Sequence, residues 1–238
     1  MGTDSLTREQ SAELREKAFA TGDRASSLRV YRVVHKLIRL VLHPLLRVRW
    51  TGSEVLETPG PLILAPVHRS HLDSVLVATT CRRRIRALGK ESLFTVPVLS
   101  FFCAALGAIP VRRGQADREA LAAAKALLDR GEAMIVFPEG GRQNGHDIAE
   151  LFDGAAWLAA RTGAKVVPIG ISGTGEAMPE GAKMIRRSTV GIVVGELMDP
   201  PVGATGKRAN RDDMRAFTDQ LAVKLAEVQE QARNLASR

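Results

Sequence analysis

The sequence predicts an α/β fold, with a mixed, largely parallel sheet flanked by helices and an N-terminal amphipathic, membrane-binding helical segment in front of it. Three observations predict this. Short, continuous apolar runs bounded by Gly and Pro read as buried strands; stretches of helical period separate them, so neighbouring strands pair in parallel through helical crossovers. Before the first run stands a segment that is both apolar and basic. The chain divides into residues 1–50, the helical membrane-associating segment, and 51–238, the α/β domain with its C-terminal helix.

In chain order, residues 26–50 (SSLRVYRVVHKLIRLVLHPLLRVRW) repeat Leu28, Tyr31, Val34, Ile38, Val41 and Leu45 at three- and four-residue steps, with Arg29, Arg32, Lys36 and Arg39 between them. Charge interrupts this helix too often for it to span a bilayer, and the pattern suits a helix lying among lipid headgroups or one packed on its own domain. Pro44 kinks or ends it. PLILAPV, residues 61–67, reads as a buried strand, and DSVLVATTCRRR as a helix with a basic end. Residues 94–111 carry no charge, but Pro97, Pro110 and Gly107 argue against a membrane span, so the segment is expected to be internal, beside a lipid chain. ADREALAAAKALLDRG reads as helix, AMIVFPEGG as strand then turn, GAAWLAARTG as helix, and AKVVPIGIS and STVGIVVGEL as strands. In the tail, Met214, Phe217, Leu221, Leu225, Val228 and Leu235 share one helical side, expected to pack on the body.

The 238 residues are 45% hydrophobic, enough for a full core. A net charge of +8 and a pI near 10.1 call for an anionic partner. Aromatics at 4% leave little for base stacking, and CRRRIR reads as a solvated helix end, so no nucleic-acid partner is expected. Two cysteines, Cys81 and Cys103, build no disulfide framework and suit the cytoplasmic side. Residues 1–17 lack the apolar core of a secretory signal.

The stretch APVHRSHLDS, residues 65–74, holds the candidate chemistry. If PLILAPV is a strand, His68 stands at its carboxyl end, where open α/β sheets bind ligands. Ser70 and Asp73 have the spacing of a capping box. Five residues are about 140° apart on a regular helix, so His68 and Asp73 meet only if His68 lies in the loop and Asp73 in the first helical turn. There the carboxylate can hold Nδ1 and leave Nε2 as a general base. A metal site of His68, His71 and Asp73 lacks ligand spacing from the remaining histidines, and no metal is expected.

GAIPVRRG (107–114), FPEGGR (137–142) and VVPIGIS (166–172) follow HRSHLD in that order. Together the four fragments resemble the glycerolipid acyltransferase family with the H-x4-D motif, which includes lysophosphatidic acid and glycerol-3-phosphate acyltransferases. The resemblance covers roughly residues 61–195. It implies His68 and Asp73 as the catalytic pair and Lys90, Gly107, Arg113, Glu139, Gly140 and Arg142 as substrate-binding positions. Ile109, Pro110, Val111, Phe137, Pro138, Val167, Pro168, Ile169 and Gly154 also match. Glu139 could hold the acceptor or brace an arginine.

The resemblance also implies acyl transfer without a cofactor. The donor is an acyl thioester, acyl-CoA or acyl-ACP, and the acceptor is a phosphorylated glycerolipid, foremost 1-acylglycerol-3-phosphate, on an anionic membrane surface. The protein would be peripheral or monotopic on the cytoplasmic face. Val67, Arg69 and the GRQ of residues 141–143 depart from the usual lysophosphatidic acid pattern, which keeps glycerol-3-phosphate or another lipid alcohol open as acceptor. A peripheral phospholipid-binding protein without catalysis is the reading from another class.

Overall fold

A computed structural model describes residues 7–111, 118–145, 147–203 and 208–238. Its seven-stranded sheet runs in the order β1-β7-β6-β2-β5-β3-β4. The strands are β1 (Arg49–Thr51), β2 (Leu62–Pro66), β3 (Ile85–Lys90), β4 (Ala108–Val111), β5 (Ala133–Ile135), β6 (Lys165–Ser172) and β7 (Gly191–Val194). All adjacent pairs are parallel except β6 with β7, so the expected mixed, largely parallel sheet is present. Every residue of β2, β5 and β7 is buried, as a strand covered on both faces requires.

Helices α1 (Arg8–Gly22), α2 (Ala25–Leu45), α3 (Leu72–Ala78), α4 (Pro97–Ala105), α5 (Arg118–Asp129), α6 (Gly154–Thr162), α7 (Thr174–Ala177) and α8 (Arg211–Ser237) complete the chain. The tail behaves as its pattern predicts. Asn210 opens α8 with a capping box to Asp213, and Phe217, Leu221, Leu225 and Val228 are buried against β6 and β7. The fit is close: a Cβ added at Gly170 of β6 would stand 2.1 Å from the Val228 carbonyl oxygen.

Four expectations need correction. Helix α3 stops at Ala78, because the Thr79 and Thr80 hydroxyls donate to the Leu76 and Val77 carbonyls and close its end. The arginines beyond it are not a solvated helix end. Arg83 donates to the carbonyls of Thr58, Gly60 and Gly131, and Arg86 lies buried inside β3 between Glu132 and Asp23. Third, the uncharged segment 94–111 is not internal throughout. Phe94 is buried, but Val98, Phe101 and Phe102 of α4 are exposed, while Cys103 and Leu106 line a groove.

The fourth concerns α2, which ends one residue past Pro44. The apolar stripe is divided. Tyr31, Val34 and Ile38 turn toward the domain, whereas Leu28 and Val41 are exposed. A second apolar row, Val33, Leu37, Leu40 and Val41, faces outward, with Leu40 73% exposed. At about 100° per residue, Arg29, Arg32, Lys36 and Arg39 fall between the two rows. One helix therefore packs on its domain and still presents an apolar and a basic face. Among the described residues no helix is long and apolar enough to cross a membrane.

Candidate active site

Strand β2 lies between β6 and β5, and its ladder continues one residue further, where the Val67 amide donates to the Ile169 carbonyl at 3.1 Å. His68 is thus delivered to the carboxyl edge of a central strand. The fourth motif acts through this pairing: Pro168 and Ile169 of β6 are in register with Ala65 and Pro66.

His68 Nδ1 lies 3.0 Å from Asp73 Oδ2, and the same oxygen accepts the backbone N–H groups of Arg69 at 2.6 Å and Ser70 at 2.7 Å. The capping-box geometry is therefore present in its returning half, with Asp73 reaching back. Ser70 Oγ instead donates to the Met178 carbonyl and accepts weakly from the Leu72 amide at 3.4 Å. A carboxylate oxygen that accepts two amide N–H groups also accepts from Nδ1–H, which fixes the tautomer and leaves the lone pair on Nε2. The Phe137 ring lies on the imidazole, with centroids 3.7 Å apart and planes inclined by 16°. The imidazole plane is thereby held from one face and its Nδ1 edge from another.

Glu139 turns into the fold. Its side chain is fully buried; Oε2 accepts the His68 backbone N–H at 2.8 Å and Arg69 Nη1 at 2.7 Å, and Oε1 accepts Arg69 Nη1 at 3.0 Å and the Ala149 N–H at 3.1 Å. Of the two roles open to Glu139, holding the acceptor or bracing an arginine, these contacts are those of a brace on Arg69. Arg69 extends the brace by donating to the His68 carbonyl at 3.0 Å and, through Nη2, to that of Asp147 at 2.8 Å.

The other expected positions are dispersed. Gly140 adopts φ +70° in the turn after Phe137, where a Cβ would press on the Phe152 ring at 2.8 Å. Arg142 is partly exposed, with Nη2 3.1 Å from Glu180 Oε1. Lys90 is exposed at the carboxyl end of β3, on the wall of a groove. Gly107 turns the chain at φ +91° into the start of β4, the opposite edge of the sheet from His68, so it does not join the site. Arg113 lies outside the described residues. Among the described residues no group of His, Cys, Asp and Glu could hold a metal ion; His71 lines the groove instead.

Two cavities flank β2. On the β3 side, a groove of about 310 Å³ is lined by Val34 and Ile38 of α2, Val75 of α3, Leu88 of β3 and Leu106. On the β6 side, a polar cavity of about 380 Å³ is lined by residues including Arg69, Gln143 and Thr174. The loop that carries the dyad borders both spaces, through Arg69 and His71, an arrangement that suits an amphiphile. Sequence reading gave no role to Arg69 or Thr174; the charge next to His68 was the available signal for the first.

Residues 47–172 match the family model described as Acyltransferase. The chain is 26% identical over 157 residues to a chloroplastic 1-acyl-sn-glycerol-3-phosphate acyltransferase of Arabidopsis thaliana, covering 64% of this chain and 44% of that protein. It is 30% identical over 161 residues to a 1-acyl-sn-glycerol-3-phosphate acyltransferase of Chlamydomonas reinhardtii, covering 66% and 48%. It thus spans about half the length of these relatives. The crystal structure of the 1-acyl-sn-glycerophosphate acyltransferase PlsC from Thermotoga maritima shares the fold, with a TM-score of 0.70 at 22% identity over 97% of this chain and 90% of that one. The matched segment runs from just before β1 to the end of β6 and contains the His68–Asp73 pair with its Glu139 brace, and on this match the chain belongs to the acyltransferase family.

Proposed function

We propose that this chain transfers a fatty acyl group from an acyl thioester to the free hydroxyl of 1-acylglycerol-3-phosphate, giving phosphatidic acid at the cytoplasmic face of a membrane. One observation carries the reading: His68, with Nδ1 held by Asp73, lies in a loop whose Arg69 lines a polar cavity and whose His71 lines an apolar groove. His68 Nε2 takes the hydroxyl proton as the oxygen attacks the thioester carbonyl. Asp73 stabilises the imidazolium that forms, and the proton then passes to the departing thiolate as the C–S bond breaks. The groove between α2, α3 and α4 accommodates the acyl chain. Lys90 at its wall has no carboxylate partner among the described residues and takes the acceptor phosphate, whereas Arg142 already faces Glu180. The outward apolar row of α2, with the basic row beside it, meets the anionic lipid surface. The names of the relatives agree with this acceptor.

The test is incubation of the purified chain with labelled acyl-CoA or acyl-ACP and three acceptors: 1-acylglycerol-3-phosphate, glycerol-3-phosphate and an uncharged monoacylglycerol. Labelled phosphatidic acid is the expected product. Equal use of acceptors with and without phosphate would overturn the assignment.

A further inference from the structure

We infer that the polar cavity on the β6 side receives the uncharged, amide-bearing pantetheine arm of the acyl thioester rather than the phosphate of the acceptor. The inference rests on the acyl-transfer reading above and assigns a part of the donor to a place in the fold.

The cavity adjoins the catalytic loop directly. Arg69 Nη1 and the Gln143 amide, both from residues on its wall, donate to the His68 carbonyl at 3.0 and 2.8 Å. Strand order places it opposite the apolar groove, with β2 and His68 between. A thioester whose chain lies in the groove and whose carbonyl reaches His68 Nε2 directs its thiol arm toward β6.

Charge decides what that arm is. Among the described residues on the cavity wall, the charged side chains are Glu176, Glu180 and Arg69, and Arg69 is already paired with the buried Glu139. Glu176 repels a phosphate, Glu180 is already paired with Arg142 at 3.1 Å, and a charge in so partly desolvated a space needs a partner that this wall does not offer. A neutral ligand meets no such penalty.

Hydrogen-bonding capacity then narrows the class. Two buried polar atoms of lining residues, Arg69 Nε and Thr174 Oγ1, have no hydrogen-bond partner. Such atoms cost free energy until something satisfies them. Both donate, so each suits an amide carbonyl or a hydroxyl, and the Glu176 carboxylate suits an amide N–H. Donors and acceptors on a neutral chain are what the amides and hydroxyl of pantetheine present, and CoA and acyl carrier protein share that arm. Gln229 is not available to it, because its amide is engaged at both ends with Ile171.

The experiment compares kcat/KM for palmitoyl-CoA with that for the palmitoyl thioester of N-acetylcysteamine, which lacks the outer part of the arm. Thr174→Val should lower the ratio of the two about three- to tenfold, the worth of one neutral hydrogen bond. If that variant does not fold, the exposed Glu176→Ala reads the same ratio. Calorimetric titration with pantetheine itself separates this inference from the function it rests on. Binding weakened by either substitution upholds the pocket even if no acceptor is acylated, in which case the acyl-transfer reading fails alone. Turnover with an unchanged donor ratio, or a raised KM for the acceptor instead, overturns it.

Discussion

Asp73 holds His68 Nδ1 with the same carboxylate oxygen, Oδ2, that accepts the Arg69 and Ser70 backbone amides, while Oδ1 is buried without a partner. One atom thus shapes the loop and orients the imidazole. His68→Ala should lower acyl transfer about 10²-fold or more and leave the fold in place, since general-base catalysis is worth that much. Asp73→Ala should lose activity and also about 2–4 kcal/mol of stability, because it strands the buried Ser70 amide and the partly buried Arg69 amide. Rates with labelled acyl-CoA and thermal unfolding check both; a stable, active Asp73→Ala protein would contradict the shared role.

Glu139 differs from a substrate ligand in what its loss should do. Glu139→Gln turns an amide N–H toward groups that are already donors and leaves Arg69 buried without its carboxylate, at a cost of about 3–5 kcal/mol. The expected signature is a lower melting temperature with a lower kcat. A raised acceptor KM at unchanged stability would return Glu139 to the substrate.

The difference between His68–Asp73 and Arg69–Glu139 marks how far the sequence could be read. Five residues separate the first pair, and strand end, loop and first turn left one way for them to meet. Arg69 and Glu139 are 70 residues apart, and only the docking of β5 beside β2 joins them. The same limit applied to the sheet. Strands β2 and β6 were legible as apolar runs, whereas β3 was not, because its buried Arg86 is acceptable only with Glu132 and Asp23 from distant segments. Helix α1 falls inside the segment 1–50 read as helical, but its bounds are not legible although Thr7 and Gln10 spell a capping box, since its body has no clear apolar stripe. In α4, lack of charge predicts burial, but the exposed Phe101 and Phe102 show that lack of charge alone does not imply it.

The outward row of α2 is testable without disturbing the core. Leu37→Glu with Leu40→Glu places charges on side chains 52% and 73% exposed, so folding should be retained. Co-sedimentation with anionic vesicles should fall about tenfold or more, because two apolar side chains are lost from the lipid boundary. Undiminished sedimentation would show that another surface meets the membrane.

His43 predicts an acid limit on stability. Burial, with Arg39 and His35 nearby, pushes its pKa down to about 4, and Nε2 lies 2.9 Å from Thr79 Oγ1. Thr79 donates its own proton to Leu76, so it receives the His43 N–H, and burial beside Arg39 is what keeps the ring neutral. A histidine of ordinary pKa near 6.5 in the unfolded chain then binds a proton that the folded chain does not. This contribution is complete above about pH 6.5 and is lost as pH falls toward 4. His43→Gln should flatten the fall in melting temperature across that window; identical slopes would contradict the assignment.

The acceptor phosphate separates Lys90 from Arg142. Lys90 ends β3 on the wall of the apolar groove that His71 also lines, without a carboxylate partner among the described residues. Arg142 faces Glu180, which also lines the polar cavity, and a phosphate reaching it would have to displace a carboxylate. A charge-assisted contact is worth roughly 1.5–3 kcal/mol, so Lys90→Ala should raise the KM for 1-acylglycerol-3-phosphate about tenfold or more with the donor KM little altered. Arg142→Ala should change it less than about threefold, since an exposed ion pair is worth about 1 kcal/mol or less. Steady-state kinetics varying each substrate in turn decides the matter. A larger acceptor effect in Arg142→Ala than in Lys90→Ala would move the phosphate to the β6 side and count against the uncharged arm placed there.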